Sequence, residues 1–325
     1  MAPARGWQPL PFAPVLNIMG GASHGFTEEK LLIAGGLVRR RNAHFPKTCG
    51  SLLLLLLLAP QATAQLNWEG QTGGLITPFA YPSSSSLGIA RPQLALHYLN
   101  GGEVLGNDFQ ISITSGFLKI AEGGFTRTFN LQGSDEMAPL FANGFNSAHI
   151  KFRLLPENAW HTSFTPAVAV GAMVRTQVRR VTEVTERENT TATDFFLVGT
   201  KTVANRRVPV VLNLGVKLTN ASILGIAANS PSWEFEPFGG LYFNLMAPHH
   251  NRLMLGAEFA RQPRQLKEVP GVVIPTSLAY LARWRPGTDV PVTLELGFMQ
   301  LGGNLGSGFD MEARHQVVVG VCYHF

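Results

Sequence analysis

The sequence predicts an all-β fold, an antiparallel up-and-down transmembrane β-barrel of about twelve strands. Three observations predict it. Apolar residues recur with period two along most of the chain. The connectors between these stretches alternate between tight turns and long polar loops. The chain stops on "VVVGVCYHF", a strand with one apolar face running to its last residue, Phe325. Successive side chains of a strand leave opposite faces, so sustained alternation is a β signal.

The N-terminal region is expected to be a leader. In "RRRNAHFPKTCGSLLLLLLLAPQATAQ", Arg39 to Lys47 form a positive stretch and an apolar run with seven leucines follows. Ala62, Thr63 and Ala64 then make an A-x-A site before Gln65. That order is the signature of a secretory signal peptide over 39–64. Residues 1–38 precede the positive stretch and show no periodic pattern, so they are expected to be an upstream extension from a start codon assigned too early. Cys49 lies before the apolar run, which is not a lipoprotein placement.

Composition agrees with a membrane wall. The 325 residues are 45% hydrophobic and 14% charged, against roughly a quarter charged in ordinary globular domains. The net charge of +5 does not indicate nucleic acid, because the first 64 residues hold six Lys or Arg and two acids, leaving 20 basic and 19 acidic residues from Gln65 onward. No apolar run reaches the ~18 residues that a spanning helix needs. Beyond the leader there is one cysteine, Cys322, so that part of the chain can form no internal disulfide.

From Arg91 the alternation is explicit. Leu94, Leu96 and Tyr98 alternate with Gln93, Ala95 and His97, and Phe109, Ile111 and Ile113 with Gln110, Ser112 and Thr114. Ile150, Phe152 and Leu154 alternate with His149, Lys151 and Arg153. Val208 to Leu218 by twos are all apolar, opposite Asn213, Gly215 and Lys217. Leu253 to Phe259 face away from Arg252 and Glu258, Leu278 to Trp284 from Arg283 and Arg285, and Val292 to Phe298 from Thr293 and Glu295. Tight turns are expected near 156–158, 204–207, 247–251 and 286–289, with long loops at 175–194, 219–232, 261–275 and 300–314. The 91–325 region allows roughly 20 residues per strand and connector, which suits tilted spans of about 9–11 residues. Trp233, Phe259 and Phe298 gather toward the long-loop end, and Phe152, Trp284, Tyr323 and Phe325 toward the short-turn end, as two interfacial girdles would. Residues 65–90 are a lead-in segment before the first strand.

The ending resembles the C-terminal signal of Gram-negative outer-membrane proteins, which finish on a terminal Phe, an aromatic two positions earlier and alternating apolar residues before it. Phe325, Tyr323, Val321, Val319 and Val317 fill that pattern. The resemblance implies an outer-membrane location, lipid around the wall and insertion by the barrel-assembly machinery. A second stretch, "GQTGGLITPFA" at Gly70–Ala80, resembles the opening of barrels associated with exopolysaccharide export. It departs from that pattern by an extra Gly and by Phe79 where Thr is usual. The residues alone read equally as a glycine-rich turn before strand one.

Candidate chemistry is sparse, and no enzyme, cofactor or metal site is expected. His161 and Ser163 match the H-x-S pair of outer-membrane phospholipases, and on a strand they would share a face. That family also needs an Asn nearby and a polar continuation, whereas "FTPAVAVGAMV" follows here. His249 and His250 on a turn point apart, with no acid or cysteine beside them. The informative set is the charges on the strands' polar face: Lys151, Arg153, Lys217, Glu234, Arg252, Glu258, Arg283, Arg285 and Glu295. Charges facing a lumen must be wet or paired. Wet, they would line a channel for small polar solutes. Paired, they would belong to a closed scaffold acting through its loops or in polysaccharide export. A lipid hydrolase is the third reading.

The strand assignment fixes a topology that can be checked on cells. An epitope inserted at 185 should be antibody-accessible on intact cells, and one at 287 should become accessible only after permeabilisation. The reverse labelling would overturn the assignment.

Overall fold

Each strand forms because its alternate residues meet two different surroundings, and the computed structural model shows both. It describes residues 65–84, 87–101, 106–132, 144–179, 189–203, 208–221, 232–246, 251–263, 272–273, 276–287, 290–300, 304–305 and 316–325. The expected upstream extension, the expected signal peptide with Ala62 and Ala64, the expected 204–207 turn, and His249 and His250 lie outside the described residues.

Twelve strands close into one antiparallel barrel. They are β1 (Gln93–Asn100), β2 (Asn107–Phe117), β3 (Ala121–Gln132), β4 (Phe145–Leu155), β5 (Ala167–Arg179), β6 (Asn189–Val203), β7 (Val210–Thr219), β8 (Glu234–Met246), β9 (Arg252–Arg261), β11 (Thr276–Arg285), β12 (Val292–Gln300) and β14 (Gln316–His324). Two-residue strands β10 (Val272–Val273) and β13 (Asn304–Leu305) pair with each other outside the wall and link two of the long loops. Sequence neighbours pair around the ring. The last strand closes it, with β14 pairing with β12 on one side and β1 on the other, from Gln93 opposite His324 to Asn100 opposite Val317. Closure leaves no edge of unpaired N–H and C=O groups, the condition for crossing lipid with strands.

The pleat sorts the residues. On β1, Gln93, Ala95, His97 and Leu99 are buried while Leu96 and Tyr98 are exposed. On β14, Gln316, Val318, Gly320, Cys322 and His324 point inward, and Val319, Val321, Tyr323 and Phe325 are exposed. The exposed positions form an apolar outer band that includes Ile111, Ile113, Phe125, Ile150, Phe195, Leu214, Phe243, Leu255, Tyr280 and Leu296. A band of this kind is where lipid belongs.

Two expectations change. The β4–β5 connection is not a three-residue turn. It runs through 156–166 with a short 3₁₀ turn at Ala159–His161, and β5 begins only at Ala167. Asn158, Trp160 and His161 all have positive φ, which a strand does not accommodate, and Pro166 precedes the first residue of β5. His161 and Ser163 are therefore exposed on a connection and do not share a strand face. The 175–194 loop is also narrower, because β5 continues to Arg179 and β6 starts at Asn189. Pro237 does lie within β8. It pairs with Val216 of β7, while pairing with β9 starts one residue later at Phe238, so its missing N–H falls on an unpaired side.

The closing strand gives a direct test. Phe325 stacks edge-on against Tyr323 with ring centroids 4.9 Å apart, and its backbone N–H reaches Pro92 at 3.4 Å. Phe325→Asp should sharply lower the heat-modifiable folded band in outer-membrane fractions. Phe325→Trp should be nearly silent, and His324→Ala should have a smaller effect than Phe325→Asp. Normal amounts of folded Phe325→Asp protein would remove the role given to the terminal aromatic.

Candidate functional site: a lumen filled by residues 65–84

The inner face of the wall is polar, and it meets the segment of the chain that precedes β1. Of residues 65–84, sixteen are buried and four half-buried. The segment folds back on itself through bridges between Leu66 and Thr72 and between Gly73 and Pro78. It touches inward residues of every barrel strand. Leu66 packs with Ala95 of β1 and Cys322 of β14, and Trp68 lies beside His97 of β1. Leu75 fills the space left by Gly297 of β12. The other nine strands make hydrogen bonds to it. A segment that meets all twelve walls of a closed ring lies inside the ring.

Four anchors hold it. Glu122 of β3 accepts from Thr72 N–H at 3.0 Å, Thr72 Oγ1 at 2.5 Å and Ser83 N–H at 2.8 Å, and pairs with Lys151 of β4 at 2.8 Å. Lys151 also donates to the Thr72 carbonyl at 3.2 Å. Glu258 of β9 accepts three successive backbone N–H groups, from Leu75, from Ile76 at 3.0 Å and from Thr77 at 2.8 Å. Arg283 of β11 pairs with Glu295 of β12 and donates to the carbonyls of Gly73 (2.5 Å), Gly74 (2.6 Å) and Leu66 (3.0 Å). Arg175 of β5 bridges Glu69 of the segment and Asp194 of β6, the latter at 2.7 Å.

Neutral bonds complete the seat. Asn213 of β7 donates to the Pro78 carbonyl at 3.0 Å, Thr200 of β6 accepts from Ala80 N–H at 2.8 Å, and Tyr242 of β8 meets the Thr77 hydroxyl at 2.9 Å. Thr114 of β2 donates to the Gly70 carbonyl at 2.6 Å. At the short-turn rim the Tyr81 hydroxyl donates to Glu157 at 2.8 Å. The glycines answer to this geometry. Gly70 has φ of 82°, and a Cβ on Gly74 would collide with the Glu258 carboxylate and the Tyr242 hydroxyl.

Both ends of the segment sit at the short-turn end. Gln65 and Leu66 lie by Arg283 and Cys322, near the last residues of their strands, and Tyr81 meets the β4–β5 connection. Between them the chain rises to Glu69, beside Arg175 near the loop end of β5. Above it remains a cavity of about 30 Å³ bordered by Glu69, Asp194, Lys217 and Glu236, room for about two waters.

The charges named from the sequence separate here. Lys151, Glu258, Arg283, Arg285 and Glu295 are buried. Lys217 is half-buried and lies 3.9 Å from Asp194 and 3.7 Å from Glu236. Arg153 and Glu234 are half-buried, and Arg252 is exposed at the short-turn rim. Glu122, Arg175, Asp194, Asn213 and Tyr242 were not among them. Alternation could have placed each on the inner face, but nothing local marks them as partners of a segment up to 165 residues away.

This is a transmembrane β-barrel of the outer-membrane class, with its lumen occupied by its own N-terminal segment. Compared by sequence, the chain matches no family model and no curated protein. Compared by structure, it is similar to other barrels. The NanC porin is 9% identical, with 72% of this chain and 100% of that one aligned and a TM-score of 0.45. LpxR from Salmonella typhimurium is 10% identical, over 72% and 100%, with a TM-score of 0.45. The KdgM porin in complex with disordered oligogalacturonate is 8% identical, over 72% and 99%, with a TM-score of 0.41. Likenesses this distant carry no argument about what the lumen does.

Removing one partner of a buried charge pair leaves the other uncompensated, at a cost of about 3–5 kcal/mol. Glu122→Gln strands Lys151 in this way. Its urea unfolding midpoint should fall clearly below that of the parent, and Glu122→Gln with Lys151→Met should recover part of the loss. An unchanged midpoint for Glu122→Gln would mean that the anchor contributes nothing to stability.

Proposed function

We propose that the protein is an outer-membrane barrel kept closed by residues 65–84, and that it acts as a sealed scaffold through its loops and outer surface rather than as a standing pore. The observation that carries this reading is the seating of the segment on Glu122, Glu258, Arg283 and Arg175 at once. A twelve-strand ring falls between small barrels filled by side chains and wide water-filled ones. Here a folded backbone supplies the filling. Lys151, Arg175, Arg283 and Glu295 are taken up in ion pairs and Glu258 in backbone hydrogen bonds, which supports the second of the two roles their inward placement allowed. A channel for small polar solutes requires the segment to leave, which would strand several buried charges unless water replaced it. The stretch that resembles exopolysaccharide-export barrels, Gly70–Ala80, lies within this filling, which keeps a part in polysaccharide export open to the same scaffold.

Planar-bilayer recording tests the reading. Folded full-length protein should show no steady ohmic step. Two variants should conduct: one lacking 66–82, and one with Glu122→Ala, Glu258→Ala and Arg283→Ala, which keeps the segment but removes three anchors. Steady conductance from the parent would overturn the sealed reading. Silence from both variants, once shown to be folded by heat modifiability, would show that the segment is not what closes the lumen.

A further inference from the structure

The outer wall carries a feature that the lumen does not explain. Outward positions on β3 run Phe125, Arg127, Phe129, with Thr126 and Thr128 buried on the other face. Arg127 thus points to the side where lipid lies, and a cation within hydrocarbon is costly on the wall of such a barrel. It is held there deliberately. Its Nη1 donates to Gln177 at 2.9 Å and to Asn146 at 3.3 Å, and its guanidinium sits 5.0 Å from the Phe129 ring centroid. Gln177 reaches this position from a register shift in β5, with φ of 68°.

The pairing places Arg127 in a row. Arg127 is opposite Asn146, Asn146 opposite Thr176, and Thr176 opposite Thr191, so one polar line crosses the outer face of four adjacent strands. One step nearer the short-turn end the outward residues are Ala148 and Val174, then Ile150 and Ala172, then Phe152 and Val170. On β4, β5 and β6 this row closes the apolar band at the long-loop end, and on β3 the outward Phe129 and Leu131 continue beyond Arg127.

Below it and one strand over lies a groove of about 560 Å³ on the outer surface. Its floor is Val170 and Ala172 of β5, between Ile150 and Phe152 of β4 on one side and Phe195 and Leu197 of β6 on the other, and beyond β6 it extends to Val216 of β7 and Phe235 of β8. Six residue steps from Asn146 to Phe152, the groove's far edge on β4, span roughly 20 Å of strand. At the tilt usual for such strands this is about 15 Å of depth, one leaflet of a ~30 Å hydrocarbon core.

We propose that this face is a lipid-binding site. It takes an acyl lipid whose headgroup presents an accessible, net-negative phosphate, in the leaflet at the long-loop end. The phosphate meets the Arg127 guanidinium, whose planar fork matches phosphate oxygens, with Asn146 and Gln177 fixing its direction. A chain of the same molecule lies in the groove. Continuity with the apolar wall selects a lipid over a soluble anion, and a guanidinium fork beside that wall favours a negative phosphate headgroup over a zwitterionic one. A merely solvated arginine would need neither the bulge that brings Gln177 to it nor the slot beneath.

Native mass spectrometry of the folded, full-length barrel, released from detergent with added phosphatidic acid or with phosphatidylcholine of the same acyl chains, tests the site. The parent should retain phosphatidic acid as a discrete adduct, about tenfold more than the choline lipid. Arg127→Gln should abolish that preference while leaving weak binding of both. Ala172→Phe, which fills the groove without touching the headgroup residues, should reduce adducts of both lipids. Equal retention of the two lipids by the parent, or adducts that neither substitution changes, would overturn the proposal.

Discussion

A closed strand ring has an inside, and whatever faces it must be satisfied within a narrow space. This barrel places acids and bases on that inside face: Glu122, Asp194, Glu258 and Glu295 among the acids, Lys151, Arg175 and Arg283 among the bases. Buried charge is tolerated only when paired and hydrogen-bonded. Residues 65–84 complete the pairing, because a backbone turned back on itself offers N–H and C=O groups in several directions. Glu258 takes N–H groups and Arg283 takes carbonyls from the same short stretch. The wall and its filling each leave polar groups that only the other satisfies.

Much follows from that reciprocity. The glycines of the segment and of the wall remove side chains where the two surfaces meet: Gly74 against Glu258 and Tyr242, Gly297 against Leu75. The inner face does not need to be apolar to exclude solvent, so most wall strands keep a clean alternation. Apolar clusters appear inside where polar partners are fewer, as around Ala80, Phe196 and Phe238. The outer face answers to lipid instead, and the polar line through Arg127 closes the apolar band on β4, β5 and β6.

Gln65, the first described residue, and Phe325 share one rim. Phe325 lies beside Pro92 where the ring closes, and Gln65 lies near Arg283 and Cys322 at the same end. Apart from the β4–β5 connection through 156–166, short turns fall on that rim, and most of the longer loops fall on the other, where β10 and β13 tie two loops together. The short-turn end is thus where the chain is closed and sealed, and the loop end is where surface remains for recognition.

The sequence by itself determined the wall. Period-two alternation is a local property of the backbone, so Leu94 to Tyr98 or Val317 to Phe325 declare an outward face without reference to any partner. The number of strands and the order of turns and loops follow from the same pattern. Proline and positive φ set one of the boundaries that alternation misplaced, the late start of β5. What only the tertiary structure decided was the content of the lumen. "GQTGGLITPFA" has the composition of a turn, and nothing within it states that its N–H groups will meet Glu258, 180-odd residues away. Inward charges read the same in sequence whether water or backbone neutralises them. That choice depends on the bore of the closed ring and on which strands it brings opposite one another, and both exist only once β14 has paired with β1.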